Sequence, residues 1–321
     1  MKRRWMGAFL AAAMTVSALA GCGGSTAAPA AEPQEEAAEA VQDSAEETEA
    51  EAEAAVEAEA AADESAANTE EPVEIQVFIA ASLNTVMQEV AAKYNEAHPN
   101  VSIVFNADSS GKLLTQIEEG YACDVFFSAA QKQMNALEED GLIVEGTRAN
   151  VLNNQVVVIK LKDTQSEVTG LSDIGKASSL ALADGSVPVG KYTRQALMNL
   201  GILPETDDPS VYTTQEVSEA LGGVEISEQG NVSRVLTAVL EGSCEVGTTY
   251  LSDTYGHEDS LDIIETVSYD LTGNVIYPVC QVVNDEASEA EAAAAADFVT
   301  FITSDEAKVI FDAYLFDTNV E

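Results

Sequence analysis

Two serines stand where an apolar run gives way to a helix-like pattern. Ser82 closes the run over residues 75–81, and Ser110 follows a second run that begins at Val101. The first residues of a helix carry unpaired backbone N–H groups and lie at the positive end of the helix dipole. A serine there adds a hydroxyl donor, so both positions favour an anion as ligand. Each serine alone could also be a simple N-cap.

Two further helix starts of this kind occur in the second half of the chain. A loop over residues 184–190 precedes a helix predicted over residues 191–200, and Asn231 is a natural N-cap for a helix that begins at Val232. The chain therefore has four strand-to-helix corners. We expect them to surround one small, negatively charged ligand.

The third corner also comes close to a nucleotide-binding motif. The segment from Gly185 to Tyr192 matches the pattern GxxxxGK[ST] except at its last residue. A P-loop needs Ser or Thr at that last position to hold Mg²⁺, and Tyr192 cannot take this role. Pro188 also lacks the backbone N–H that a phosphate-binding loop uses. The pattern therefore favours an anion at this helix start but not nucleotide hydrolysis.

The sequence contains few residues that could form a catalytic site or a metal-binding site. Its two histidines, His98 and His257, lie in no catalytic motif, and no GxSxG is present, so an exported hydrolase would lack a base for its nucleophile. Cys123, Cys244 and Cys280 have no metal-ligand spacing, and their odd number argues against a disulfide framework. We expect no catalysis and no cofactor, and we expect these cysteines to be small buried residues.

Strand-like and helix-like segments alternate from Val73 onward, which predicts an α/β fold. Apolar runs predict strands near residues 75–80, 101–105, 125–127, 156–161, 180–183, 246–250 and 279–283. Helices are predicted to follow most of them, and two helices, 287–302 and 304–311, to end the chain. The polar segment 204–228 fits no element or role.

The first 72 residues have a different character. Lys2, Arg3 and Arg4 precede an apolar run, and the tetrapeptide that ends it, Leu19-Ala20-Gly21-Cys22, resembles a bacterial lipobox. Residues 1–21 are therefore predicted to be a lipoprotein signal peptide and Cys22 the lipidated residue that anchors the protein. A plain cleaved signal or a membrane helix is the alternative, although the run is shorter than the roughly 20 residues a span needs.

Charge argues against nucleic acid as a partner of the remaining chain. Residues 22–72 contain sixteen acidic residues and no basic or aromatic one, which predicts an acidic Ala/Glu-rich tether. The whole chain has a formal net charge of −42, and only eleven basic residues lie beyond residue 72. This surface repels nucleic acid, so we expect no nucleic-acid partner.

Six motifs in order resemble a known family. They are Phe78-Ile79-Ala80-Ala81-Ser82-Leu83, Ser109-Ser110-Gly111, Asp124-Val125-Phe126-Phe127-Ser128-Ala129, Val187-Pro188-Val189-Gly190-Lys191-Tyr192, Gly247-Thr248-Thr249-Tyr250 and Tyr277-Pro278-Val279. Together they resemble the molybdate-binding subunit of bacterial ABC uptake systems, a type II periplasmic-binding-protein family. The resemblance implies a two-lobed α/β fold, with mostly parallel sheets, helices on both faces and a ligand cleft between the lobes. The implied lobes are 73–153 plus 284–321 and 154–283.

The resemblance also implies a set of ligand-binding residues. Ser82 and Ser110 would give hydroxyl and N–H groups, Val189 and Val232 their N–H groups, and Tyr250 its phenol. Tyr250 alone could instead be a core or hinge residue. Molybdate is a dianion without protons, so a site made of donors suits it. Molybdenum would be held only as molybdate, at these same residues.

The implied function is that of an extracytoplasmic binding lipoprotein. It would capture molybdate, and also tungstate, on the outer face of the cell membrane and deliver it to an ABC permease that a cytoplasmic ATPase drives. We expect it to act as a monomer. Another small oxyanion, such as sulfate or thiosulfate, is the alternative ligand, and a purely structural surface lipoprotein is the alternative class.

Overall fold

The computed structural model describes residues 71–320. The predicted signal peptide, Cys22, nearly all of the tether and Glu321 lie outside the described residues. Within residues 71–320, no helix is both long and apolar enough to cross a membrane.

Strands and helices alternate through the described chain. The strands are β1 (Val73–Ala80), β2 (Val101–Asp108), β3 (Val125–Phe127), β4 (Ala149–Asn154), β5 (Val156–Leu161), β6 (Ser179–Ala183), β7 (Glu225–Gln229), β8 (Val246–Tyr250), β9 (Leu261–Thr266) and β10 (Val275–Gln281). The α-helices are α1 (Asn84–Asn95), α2 (Ser110–Glu118), α3 (Gln131–Glu139), α4 (Pro188–Asn199), α5 (Thr214–Ala220), α6 (Val232–Leu240), α7 (Tyr269–Thr272), α8 (Glu289–Ile302) and α9 (Asp305–Ala313).

The strands form two five-stranded sheets, one in each lobe. Their orders are β2-β1-β3-β10-β4 and β7-β6-β8-β5-β9. Each sheet has two parallel and two antiparallel pairings, so the expectation of mostly parallel sheets is corrected to mixed sheets. The reason is that β10 runs antiparallel between β3 and β4, and β5 does the same between β8 and β9.

The second boundary between the lobes is also corrected. The chain first passes from one sheet to the other between β4 and β5, but it returns before β10, because β10 belongs to the first sheet. The sequence-based boundary at 283/284 is therefore wrong. The last strand was predicted near residues 279–283 and was placed in the second lobe, whereas β10 pairs with β3 and β4 of the first. The structure accommodates Pro278 where the pairing of β10 with β4 shifts register.

The four corners lie at matching places in the two lobes. In the first lobe, β1 leads through a short 3₁₀ turn, Ala81–Leu83, into α1, and β2 leads into α2. In the second lobe, β6 leads into α4 and β7 into α6. Since β1 pairs in parallel with β2, and β6 with β7, each lobe presents two corners at one edge of its sheet.

Buried apolar residues fill the space between the sheets and their helices. The three cysteines are buried and free, as predicted from the sequence. Cys123 and Cys280 belong to a cluster with Phe126 and Met134 on one side of the first sheet. Burial raises the pKa of the Cys280 thiol to about 12, so this side chain is an unreactive packing residue.

Candidate functional site

The four corners meet at one small cavity between the lobes. All five residues that the sequence resemblance singled out, Ser82, Ser110, Val189, Val232 and Tyr250, line it. The remaining lining residues are small or apolar: Ala80, Ala81, Ser109, Ala129, Val187 and Pro188. The cavity's free volume, about 10 Å³, corresponds to about one water molecule, so the cavity suits only a small ligand.

Ser110 is arranged as a hydrogen-bond donor. It is the first residue of α2 and is fully buried. Its Oγ accepts a hydrogen bond from the backbone N–H of Ala129 at 2.9 Å. The hydroxyl proton therefore remains for a group in the cavity.

Ser82 lies in the first corner, in the short 3₁₀ turn that precedes α1. Its side chain is largely buried, and its Oγ is 2.9 Å from the phenolic oxygen of Tyr277. Tyr277 belongs to the sixth sequence motif, but sequence reasoning assigned it no role. The pattern showed a tyrosine before a proline and gave no sign that its hydroxyl would reach Ser82, 195 residues earlier.

The backbone amides of Val189 and Val232 lie in the first turns of α4 and α6. A first-turn N–H has no acceptor within its own helix. Pro188, the first residue of α4, fits a position where no N–H is needed. Asn231 caps α6, and its side chain accepts from the N–H of Arg234, which leaves the N–H of Val232 unpaired by the cap.

Close approach at the third corner depends on Gly190. A Cβ at this position would lie 2.2 Å from the backbone oxygen of Asp184 and 2.4 Å from that of Ala183. The absence of a side chain therefore lets α4 begin directly against the end of β6. Val189, in the same first turn, lines the cavity.

Tyr250 supplies a hydroxyl from the opposite wall. It ends β8, its side chain is 1 % exposed, and within the described part of the chain its hydroxyl has no hydrogen-bond partner. Burial raises the pKa of Tyr250 well above its ordinary value, so the phenol keeps its proton. A buried donor without a partner is costly, which points to a ligand as the missing acceptor.

Charged side chains stand back from the cavity. Among residues 71–320, no lysine, arginine or carboxylate lines it. Lys112, next to the second corner, lies 3.3 Å from Asp108. Burial opposes ionisation of Asp108, but hydrogen bonds from Asn231 and the Ser109 N–H, together with Lys112, hold its pKa below the ordinary value. The bond from Asn231 Nδ2 to Asp108, 3.0 Å long, also ties the second lobe to the first.

The candidates for other chemistry lie elsewhere. In the described chain, no three His, Cys, Asp or Glu side chains are placed to hold a metal ion. His98 stacks on Tyr94 and lies 3.3 Å from Asp297, and His257 lines a neighbouring cavity that shares Ala81 and Ser82 with the anion cavity. The anion cavity presents hydrogen-bond donors, and this chemistry is suited to binding an anion.

Comparison with known proteins agrees with this geometry. Residues 75–317 match the family model of bacterial extracellular solute-binding proteins. The chain belongs to this family. Members of this solute-binding family are components of transport systems rather than enzymes. The two-lobed type II periplasmic-binding-protein fold is confirmed.

Two relatives and one solved structure of the same fold are similar to this chain. The molybdate-binding protein ModA of Escherichia coli is 30% identical over 253 residues, which cover 76% of this chain and 88% of ModA. A substrate-binding domain assigned to a molybdenum ABC transporter of Clostridium difficile is 31% identical, with a TM-score of 0.56, and covers 78% of this chain and 100% of that domain. The sulfate-binding protein SubI of Mycobacterium tuberculosis has a TM-score of 0.59 at 13% identity, covering 76% and 86% of the two chains, and shares the fold alone. The resemblance to molybdate-binding proteins is thereby confirmed.

Proposed function

We propose that this protein captures molybdate, and also tungstate, between its two lobes and delivers it to an ABC permease. The observation that carries the proposal is the Tyr250 hydroxyl, which is buried at the cavity without a partner in the described chain. Ser82, Ser110 and the helix-start residues Val189 and Val232 line the same small space and would offer it their hydroxyl and N–H groups. All of these groups donate, and a bare oxyanion is a ligand that can only accept.

The same donors give a basis for selecting among anions. A protonated oxyanion, such as hydrogen phosphate, has an O–H that needs an acceptor, and among residues 71–320 no carboxylate or side-chain amide lines the cavity to accept it strongly. Leaving that O–H unpaired in a buried site disfavours its binding. The identity to the molybdate-binding relatives supports molybdate over sulfate, which is equally free of protons and differs in size.

The cellular setting completes the proposal. The lipobox-like Leu19-Ala20-Gly21-Cys22 supports lipidation of Cys22 and a place on the outer face of the membrane. The acidic residues 22–72 would then link the anchor to the binding lobes. From there the protein would hand its ligand to a permease powered by a cytoplasmic ATPase.

Titration calorimetry of the purified protein with molybdate, tungstate, sulfate, thiosulfate and phosphate tests the ligand. Calorimetry is better suited than tryptophan fluorescence, because Trp5, the one tryptophan, lies in the predicted signal peptide. We expect heat with molybdate and tungstate, a much weaker response to sulfate, and none with phosphate at pH 6. If only sulfate or thiosulfate bound tightly, the fold assignment would stand, but the proposed ligand would change from molybdate to that anion.

Replacing both serines links the heat to the proposed site. The variant S82A/S110A should lose most of its oxyanion affinity while it keeps its fold. Ser243 is exposed and its side chain makes no hydrogen bond within the described residues, so S243A is the matched control and should bind like the wild type. Equal affinity of S82A/S110A and S243A would place the ligand elsewhere.

A further inference from the structure

A chain of buried hydrogen bonds reaches Ser82 from the crossing between the lobes. Asn154, the last residue of β4, donates from Nδ2 to the phenolic oxygen of Tyr277 at 3.2 Å. Tyr277 is fully buried, and its oxygen lies 2.9 Å from Ser82 Oγ. The same Nδ2 donates to Ser252 of the second lobe at 2.8 Å.

The orientation of the Asn154 amide is fixed by its other end. Its Oδ1 accepts the backbone N–H of Gln155 at 2.9 Å, so the oxygen and nitrogen of the amide cannot be exchanged without losing that bond. An amide nitrogen can only donate. The Tyr277 oxygen must therefore act as the acceptor in its bond with Asn154.

The direction of the next bond follows from counting protons. Tyr277 has one hydroxyl proton, and within residues 71–320 the only other hydrogen-bond partner of its oxygen is Ser82 Oγ. If Ser82 donated to Tyr277, the Tyr277 proton would be buried without an acceptor, which is unfavourable. Tyr277 therefore donates to Ser82. Burial raises the pKa of Tyr277 well above its ordinary value, so this proton is retained.

We propose that Tyr277 is a positioning residue that, held by Asn154, makes Ser82 a donor toward the cavity. With its oxygen accepting from Tyr277, Ser82 has its own proton free for the bound anion. Ser110 receives the equivalent bond from the Ala129 N–H, so both serines are oriented in the same sense by different means. This inference rests on the proposed function, since it concerns how the oxyanion site is tuned.

A double-mutant cycle between Tyr277 and Ser82 tests the inference. Molybdate affinity is measured by calorimetry for the wild type, Y277F, S82A and Y277F/S82A. If Tyr277 acts through Ser82, Y277F lowers affinity about 10-fold in the wild type and less than about 2-fold in S82A. A general packing effect of Tyr277 would lower affinity by the same factor in both backgrounds.

Asn154 provides a second variant that preserves side-chain size. In N154D the new carboxylate cannot donate, so Tyr277 donates to that carboxylate and Ser82 turns its proton to Tyr277. We expect N154D to weaken molybdate binding more in the wild type than in S82A. The negative charge that N154D adds weakens anion binding by the same factor with and without Ser82, so it cancels when the two effects are compared. N154D also tests the inference if Y277F proves too unstable to purify.

Y94F is the matched control for loss of a buried phenol. The Tyr94 hydroxyl donates to Asp297 and lies far along α1 from the cavity, so Y94F should bind molybdate like the wild type. Equal effects of Y277F in the two backgrounds, or no effect in the wild type, would overturn the inference and leave the proposed function standing. A wild type that binds none of the oxyanions would overturn both.

Discussion

The ammonium group of Lys132 on α3 lies 2.8 Å from the carboxylate of Asp208, and the two residues belong to different lobes. The hydroxyl of Ser210 lies 3.1 Å from the same ammonium group. Burial opposes ionisation of Asp208, but bonds from Lys132 and Ser210 lower its pKa to about 2, so the ion pair is intact at neutral pH. The pair therefore holds the lobes together outside the cavity.

Breaking this pair should weaken ligand binding modestly. Both side chains are nearly half exposed, and such pairs contribute about 0–1 kcal/mol, so K132A should raise the Kd for molybdate by at most about 5-fold. Salt screens exposed charges, so the difference should shrink in about 1 M salt. Calorimetry at low and high salt measures both effects.

K176A is the control for this prediction. Lys176 pairs with Asp173 at 2.9 Å with similar exposure of the lysine, but both residues belong to the second lobe. K176A should leave the Kd unchanged at either salt concentration. If K176A and K132A changed the Kd equally, the pair between the lobes would have no special part in binding.

Y250F should separate binding from stability. Removing a buried hydroxyl that has no partner in the described chain should stabilise the ligand-free protein by about 1–3 kcal/mol, the usual cost of such a group. The same change removes a donor to the anion and should lower molybdate affinity at least about 10-fold. Denaturant unfolding and calorimetry measure the two effects. Loss of stability with unchanged affinity would mean that Tyr250 is a core residue.

G190A should damage the third corner through sterics alone. The added methyl group would collide with two backbone oxygens of residues 183 and 184, which cannot move as a flexible side chain can. We expect a loss of several kcal/mol of stability, as for overpacked cores, and a displaced Val189 amide. Thermal unfolding with and without molybdate measures both. A G190A protein with wild-type melting and affinity would contradict the close approach described above.

The carboxylate of Asp253 predicts a pH dependence of stability. Its Oδ2 accepts the Tyr250 N–H at 2.9 Å and the Thr249 hydroxyl at 2.7 Å, but burial dominates and raises its pKa from 3.8 to about 6. The folded state therefore binds the proton more tightly than the unfolded state, so stability from this group falls as the pH rises from about 4 to about 6. D253N keeps an acceptor oxygen and removes the charge.

The difference between D253N and the wild type isolates this group from the other carboxylates. D253N should be more stable at pH 7.5, by at most roughly 3 kcal/mol, and the difference should disappear near pH 4. Asp173 has the opposite shift: bonds from Lys176 and Thr169 outweigh burial and lower its pKa to about 2. D173N should therefore be less stable than the wild type at pH 7.5. If D253N and D173N both raised or both lowered the stability at pH 7.5, the opposite pKa shifts of Asp253 and Asp173 would be contradicted.

Much of the site could be predicted because most of its residues lie at helix starts, which short stretches of sequence reveal. Ser82, Ser110 and Val189 each follow a change from strand-like to helix-like spacing, and Val232 follows a natural N-cap, Asn231; both signals are visible in a few consecutive residues. The resemblance to a family placed Tyr250 beside them. The structure brings all five to one cavity.

The remaining features depend on pairing between distant segments. The edge strand β7 contains one large apolar residue, Ile226, so its sequence gives little sign of a strand, yet it positions the start of α6. The place of β10 in the first sheet, the bond from Tyr277 to Ser82 and the pair between Lys132 and Asp208 all join residues 76 or more positions apart. No local pattern records such contacts.

The most direct test of a cavity lined by donors compares molybdate with phosphate, which carries protons at pH 6, in one calorimetric series at that pH. We predict saturable heat with molybdate, which S82A/S110A loses, and no heat with phosphate. At about 100 times its Kd, molybdate should also stabilise the protein by about 2.7 kcal/mol. Equal binding of phosphate, or molybdate binding that survives in S82A/S110A, would contradict this description of the site.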